Sequence, residues 1–169
     1  PEVVNRCANA LARELDAFKV DVLMSPNVNI QRDPLGGRLF ESYSEDPYLT
    51  GEMGTEFVKG VQEVGVLADP KHFAANNHEK ERKGINVHVP ERALREIYFP
   101  GFEACIRRGK AKTVMSAYNK LNGTACSANR WLLEDVLRKE WGFDGIVISD
   151  WGGVYDSKAA LHAGNDLEM

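Results

Sequence analysis

The sequence of 169 residues is poor in three features that often indicate a protein's class: long apolar runs, excess positive charge and cysteine. No apolar run approaches the roughly 18 residues that a membrane-spanning helix needs. Lysine and arginine total 21 against 25 aspartate and glutamate, and the formal net charge is -4. Such a balance provides no broad cationic surface for nucleic acid or for an acidic membrane. We therefore expect neither of them as a partner.

The cysteines and histidines do not suggest a metal site. Cys7, Cys105 and Cys126 are an odd number without metal-ligand spacing, so we expect small buried side chains. His88 and His162 also lack a ligand pattern and are predicted to be surface or capping residues. No cofactor or metal is predicted.

Helical and strand patterns alternate along the chain. Apolar residues at helical spacing fall in residues 4–18, 47–64, 90–108 and 130–141. The short apolar runs that follow them are 20–24, 66–73, 113–118 and 145–150. Because these runs are apolar on successive positions, they indicate a parallel sheet covered by helices. The predicted class is α/β.

The number of strands suggests a partial (β/α)8 barrel. A complete barrel needs about 250 residues and eight strands, so this chain could supply about half of one. We predict that residues 1–169 form a single partial domain. For the first helix the pattern predicts a buried stripe of Val4, Cys7, Leu11, Leu15 and Phe18. Asp46 and Asn129 are predicted N-caps of the second and fourth helices, and Gly65 is predicted to end the second.

Polar and aromatic residues gather where the predicted strands end, which is where parallel α/β folds place their chemistry. They are Asn27, Asn29, Arg32, Asp33, Arg38, Lys71, His72, Met115, Tyr118, Asp150 and Trp151. Cationic donors hold hydroxyl groups with strong bonds, and an aromatic ring covers the apolar face of a pyranose. The rim therefore suits a neutral, hydroxyl-rich ligand. A carboxylate such as Asp150 could attack an anomeric carbon if a second carboxyl group protonates the leaving oxygen.

Four ordered segments resemble the signature blocks of glycoside hydrolase family 3. They are RDPLGGRLFESYSEDPYL (32–49), DPKHFAANN (69–77), VMSAYNKLNG (114–123) and WGFDGIVISDWGGV (141–154), and LHAGNDLEM at the end is similar to the next block. The resemblance covers essentially the whole chain. It implies an internal segment of the N-terminal catalytic domain of a retaining β-glycosidase, whose substrate is a β-linked oligosaccharide or an aryl or alkyl β-glycoside.

The resemblance also assigns roles to residues. Asp150 matches the family's nucleophile, and Arg38, Lys71 and His72 match residues that bind sugar hydroxyls. Met115 and Tyr118 match residues that line the same pocket. Trp151 matches an aromatic wall near the entrance of that pocket. The acid/base glutamate of the β-glucosidase and β-xylosidase branch comes from a C-terminal domain, which is absent from this sequence.

Asn76 separates this sequence from another branch of the family. It stands where the N-acetylglucosaminidase branch has a histidine that takes part in acid/base chemistry, so β-glucosidase or β-xylosidase activity is favoured.

Other interpretations stay open on residue patterns alone. Asp150 could be a structural carboxylate or helix cap, and Lys71 and His72 could be structural partners of nearby Asp69. Lys71 could instead form a Schiff base, as in aldolase chemistry, and the isolated chain could be catalytically incompetent. Arg32, Asp33 and Glu41 are expected to brace the long 25–45 segment through mutual salt bridges and are left out of the predicted site.

Overall fold

A computed structural model describes residues 1–169 and confirms the α/β class. The helices are α1 (Glu2–Ala17), α2 (Pro47–Gln62), α3 (Glu91–Ala93), α4 (Pro100–Arg107) and α5 (Ser157–Ala163), with π-helical segments at Leu94–Tyr98 and Trp131–Glu140. The strands are β1 (Val22–Leu23), β2 (Leu67–Ala68), β3 (Asn86–Val87), β4 (Thr113–Ser116), β5 (Lys120–Leu121), β6 (Thr124–Ala125) and β7 (Ile146–Ser149). Short 3-10 turns span Leu39–Glu41 and Cys126–Ala128. No helix has the length and apolar character to cross a membrane.

The parallel strands lie side by side in the order of the sequence. β1 pairs with β2 and β4 pairs with β7, both in parallel. Backbone bonds join the two pairs, because Phe73 donates its N–H to the Met115 carbonyl at 2.7 Å. Beyond β7, Ser149 donates to the Leu167 carbonyl at 2.8 Å. The carboxyl ends of all these strands therefore meet at one edge, and this edge carries the candidate site.

The predicted caps of the second helix are confirmed. Asp46 accepts a hydrogen bond from the Tyr48 N–H at 2.9 Å, with Pro47 in the first turn of α2. After α2, Gly65 adopts a φ of +98°, a left-handed conformation that ends helices and that glycine adopts without steric cost. The α2 helix thereby turns back toward β2.

The predicted buried stripe of α1 is partly wrong, because the helix packs through small residues. Ala8 and Ala12 are its buried positions, whereas Cys7 is exposed and Phe18 is 82% exposed. On α2, a Cβ at Gly60 would overlap the Asn5 carbonyl oxygen, so the two backbones approach closely. A prediction from hydrophobic periodicity assigns burial to large apolar residues. It therefore misses a helix contact that is made by small residues. The prediction of burial is wrong for Cys7 and confirmed for Cys105 and Cys126.

Aromatic side chains fill the core behind β4. The Phe73 ring lies 5.0 Å from that of Phe102 and 5.5 Å from that of Trp141, measured between centroids. Trp141 therefore packs in the core, and Trp131 lies half-buried against Phe99. His88 and His162 are exposed, also as expected.

Two local features were not predicted. β5 and β6 form an antiparallel hairpin whose turn is Asn122-Gly123, and β3 pairs with β5. Asn-Gly is a strong hairpin signal, and both residues have positive φ. The helix predicted over 90–108 is also interrupted. A π-helical segment precedes Pro100, and Phe99 donates its N–H to the Leu94 carbonyl five residues back.

Candidate active site

All seven predicted site residues line one cleft, with a volume of about 470 Å³, at the carboxyl ends of the strands. They are Arg38, Lys71, His72, Met115, Tyr118, Asp150 and Trp151, and Met24, Glu79 and Arg82 complete the lining. The strand order explains the convergence, since residues from four segments far apart in sequence reach the same edge of the sheet. A cleft of this size can enclose a monosaccharide.

Asp150 lines the cleft and has one carboxylate oxygen without a hydrogen-bond partner. It follows β7 directly, where its N–H donates to the Ser116 carbonyl at 3.1 Å. Its Oδ1 accepts from the Trp151 N–H at 2.8 Å, whereas Oδ2 has no hydrogen-bond partner. The residue is 9% exposed, so the carboxylate is held in a fixed orientation. This arrangement suits a nucleophile, because one oxygen is anchored and the other can react.

Two cations of the site are anchored by Glu41. Arg38 donates from Nε and Nη2 to the two oxygens of Glu41, at 2.7 and 3.0 Å. Lys71 Nζ lies 3.3 Å from Glu41 Oε2. The hydrogen bond with Glu41 raises the pKa of Arg38, and the same bond lowers the pKa of Glu41. Both cations are thus oriented donors before any ligand arrives.

His72 is buried between Asn29 and the cations. It is 2% exposed, and burial lowers its pKa well below the ordinary value, with Arg38, Lys71 and Arg82 adding to that effect. Its Nε2 lies 3.3 Å from Arg38 Nη1 and 3.5 Å from Asp150 Oδ2. Burial and the neighbouring cations therefore favour the neutral imidazole, whose Nε2 lies within hydrogen-bonding distance of Arg38 and close to the Asp150 carboxylate.

Two aromatic side chains, Tyr118 and Trp151, line the cleft together with Asp150. Tyr118 donates its hydroxyl to the Trp151 carbonyl at 2.5 Å, which ties the end of β4 to the turn after β7. Trp151 is 62% exposed at the mouth of the cleft, whereas Met115 is buried in its wall. An exposed indole beside a buried carboxylate leaves an apolar face available for a sugar ring.

Sequence patterns missed Met24, Glu79 and Arg82 of the cleft lining, and also Glu41, which holds two of its cations. Arg82 lies over the Tyr118 ring, with Cζ 4.6 Å from the centroid, and pairs with Glu79 at 3.0 Å. The expected mutual salt bridges of the 25–45 segment are wrong, because Glu41 pairs with Arg38 and Lys71, and Asp33 pairs with His78 at 3.2 Å. Residues 79–82 and 41 lie outside the predicted helices and strands. Their pairs Arg82–Glu79 and Arg38–Glu41 are local, but the contacts of Glu41 with Lys71 and of Arg82 with Tyr118 are tertiary and follow no sequence pattern.

Asp69 is an isolated carboxyl group just below the site. It is fully buried, and neither of its oxygens has a hydrogen-bond partner. The nearby Thr113 hydroxyl donates instead to the Ala68 carbonyl at 3.1 Å. Burial raises the pKa of Asp69 to about 7. The alternative in which Asp69 pairs with Lys71 or His72 is not observed, since Lys71 pairs with Glu41 and His72 with Asn29.

The buried carboxylate, the oriented cations and the exposed indole lie together at one edge of a parallel α/β fold. A family model described as "Glycosyl hydrolase family 3 N terminal domain" matches residues 1–169, so the chain belongs to this family. No three His, Cys, Asp or Glu side chains are grouped so that they could hold a metal ion.

Two named relatives align with this chain over nearly its full length. It is 52% identical over 168 residues to thermostable beta-glucosidase B of Acetivibrio thermocellus, and 52% identical over 169 residues to an exo-alpha-(1->6)-L-arabinopyranosidase of Bifidobacterium longum. These alignments cover 99% and 100% of this chain but only 22% of each relative. The chain therefore spans about a fifth of the length of these relatives.

A solved structure matches the whole fold. Beta-glucosidase 3B from Thermotoga neapolitana in complex with glucose superposes with a TM-score of 0.98 at 54% identity, covering 99% of this chain and 24% of that one. Beta-glucosidase from Kluyveromyces marxianus in complex with glucose gives a TM-score of 0.96 at 44% identity and covers 98% of this chain and 20% of that one.

Proposed function

We propose that this chain is part of the catalytic domain of a retaining β-glycosidase of the β-glucosidase type, with Asp150 as nucleophile. The observation that carries the proposal is Oδ2 of Asp150, a buried oxygen without a hydrogen-bond partner on a residue that lines a cleft with oriented cations. The relatives named as β-glucosidases and the neighbours solved with glucose support a β-glycoside as substrate.

In the proposed reaction, Asp150 Oδ2 is the attacking atom. Asp150 Oδ2 attacks the anomeric carbon while the bond from that carbon to the leaving oxygen breaks, and a second carboxyl group donates a proton to that oxygen. The same group then removes a proton from water, which attacks the anomeric carbon and releases Asp150. Two displacements at one carbon retain its configuration.

The remaining site residues bind the terminal sugar in this proposal. Arg38, Lys71 and His72 bond to its hydroxyl groups, and the pairing of both cations with Glu41 favours binding over covalent chemistry. Lys71 as a Schiff-base nucleophile has no support, because its ammonium group is held in that ion pair. Met115 and Tyr118 line the pocket, and Trp151 covers one face of the sugar.

The proton donor comes from outside these 169 residues in our proposal. Glu79 is the only other carboxylic residue that lines the cleft, and it is engaged by Arg82 at 3.0 Å. We propose that a C-terminal domain of the same parent chain supplies the acid/base residue, and that residues 1–169 alone do not turn over substrate. Hydrolysis by the isolated chain at the rate of the full-length protein would contradict this.

We further propose that residues 1–169 form a single partial domain, half of a (β/α)8 barrel. The parallel strands β1, β2, β4 and β7 are neighbours in sequence order, and residue 167 begins to pair with β7. Unbroken sequence order around parallel strands is what a barrel requires.

Trapping the intermediate tests the proposal. Full-length protein containing this chain is incubated with a 2-deoxy-2-fluoro-β-glucoside that carries a good leaving group, and the labelled peptide is identified by mass spectrometry. We expect the label on Asp150. A label elsewhere, or inversion of the product anomer observed by NMR during hydrolysis, would overturn it.

A second substrate has specific support. The B. longum relative named as an arabinopyranosidase is as similar to this chain as the A. thermocellus β-glucosidase is. The candidate substrates can be compared by measuring how the full-length protein hydrolyses p-nitrophenyl β-D-glucopyranoside, β-D-xylopyranoside and α-L-arabinopyranoside. We expect the highest kcat/KM for the glucoside. N-acetylglucosaminide hydrolysis is disfavoured, because Asn76 cannot supply the acid/base chemistry of a histidine.

A further inference from the structure

The side chain of Asn29 makes a two-point contact with the peptide groups of His72. Its Oδ1 accepts from the His72 N–H at 2.9 Å, and its Nδ2 donates to the His72 carbonyl at 3.0 Å. These two bonds fix which end of the amide is oxygen, because the opposite orientation would place two donors and two acceptors together. Asn29 is itself buried, and its N–H donates to Asn27 Oδ1 at 3.0 Å.

This fixed orientation determines the protonation of the imidazole. The same Asn29 Oδ1 lies 3.2 Å from His72 Nδ1. An amide oxygen can only accept, so Nδ1 must carry a proton. In a neutral ring, Nε2 then has a lone pair and accepts from Arg38 Nη1 at 3.3 Å. Nε2 cannot at the same time donate to Asp150, which lies 3.5 Å away and whose Oδ2 has no partner.

From this geometry we infer that Asn29 is a positioning residue that holds His72 in its Nδ1–H tautomer and so keeps the Asp150 nucleophile free of a hydrogen bond from the imidazole. The inference rests on the proposed function, since it concerns the reactivity of the same carboxylate. If Nε2 carried a proton, it would donate to Asp150 Oδ2, stabilise the ground-state carboxylate and slow its attack.

The charges around His72 favour the neutral ring. Arg38, Lys71 and Arg82 face it as cations, and Asp150 is the one carboxylate in contact with it. Replacing the neutral amide of Asn29 by a carboxylate would place a second negative charge against Nδ1 and favour the imidazolium. The variant should therefore change the pH dependence of the reaction, which the replacement of a merely structural residue would not do.

The test compares two variants of the full-length protein. Asn29→Asp should slow inactivation by the fluoroglycoside at least about 10-fold at low pH, with recovery as pH rises and the imidazolium deprotonates. The acid limb of kcat/KM should therefore move to higher pH. Asn122→Asp is the matched control, because Asn122 makes the same two-point contact with Val89, at 2.9 Å for both bonds, but touches no histidine. It should leave the pH profile unchanged.

The outcomes separate the inference from the proposed function. If the unaltered protein is labelled on Asp150 and Asn29→Asp lowers the rate equally at every pH, Asn29 is only structural and the inference is wrong. If the unaltered protein is not labelled on Asp150, the proposed function fails first. Neutron diffraction from deuterium-exchanged crystals of the unaltered protein gives an independent answer should Asn29→Asp not fold. A deuteron on Nδ1 and none on Nε2 is expected, and the reverse would overturn the inference.

Discussion

Arg38 and Glu41 form a bidentate ion pair in which both guanidinium donors lie within 3.0 Å of the carboxylate. Because Glu41 also holds Lys71, one carboxylate orients two of the three groups proposed to bind the sugar. Glu41 thus shapes the site without being available to react, since both of its oxygens are occupied by cations.

Glu41→Gln should lower kcat/KM by about 10- to 100-fold, because a charge-assisted bond to each cation is weakened. Steady-state kinetics of the full-length protein on p-nitrophenyl β-D-glucopyranoside measure the change. Glu96→Gln is the control, since Glu96 forms an exposed pair with Arg92 far from the cleft. Equal activity of the two variants would show that Arg38 and Lys71 need no such support.

Asp150→Asn should reduce kcat by about 10⁴-fold, because the amide cannot act as an anionic nucleophile. The circular dichroism spectrum and the melting temperature should change little, since the amide oxygen of the variant can still accept the bond that the Trp151 N–H donates to Asp150. Asp144→Asn, in an exposed pair with Lys112, serves as the control. A rate near that of the unaltered protein would remove Asp150 from the mechanism.

The sequence predicts those parts of the site that follow regular strands. Asp150 lies at a strand end, as the uninterrupted apolar run leading directly into it predicts, and Lys71 and His72 follow a similar run. Glu41 and Arg82 were missed because their segments have no periodicity and because their contacts with Lys71 and Tyr118 are tertiary. The face of α1 was misassigned for a different reason, because close packing there selects alanine and glycine over larger apolar residues.

Gly60→Ala should reduce the free energy of unfolding by about 1 to 3 kcal/mol, despite the better helix propensity of alanine. The added methyl group would overlap the Asn5 carbonyl oxygen and lie 3.1 Å from Ala8 Cβ, so α1 must move away from α2. Chemical denaturation monitored by circular dichroism measures the loss. Lys59→Ala tests the neighbouring exposed position of the same helix and should be nearly neutral. A Gly60→Ala variant as stable as that control would contradict the close contact.

Asp69→Asn should stabilise the protein above neutral pH, because it replaces a buried carboxylate charge with an uncharged amide of similar shape. Burial raises the pKa of Asp69 from 3.8 to about 7. Between these values the folded state binds more protons than the unfolded state, so the free energy of unfolding falls as pH rises from about 4 to 7. The full destabilisation by the Asp69 charge, at most about 4 kcal/mol, is present above pH 7.

Melting temperatures measured from pH 4 to 8 should therefore decline less steeply for Asp69→Asn than for the unaltered protein. Asp16→Asn, on the exposed surface of α1, should reproduce the unaltered curve. Parallel curves for Asp69→Asn and Asp16→Asn would mean that Asp69 keeps its ordinary pKa, and hence that its carboxylate has a partner or water contact in solution.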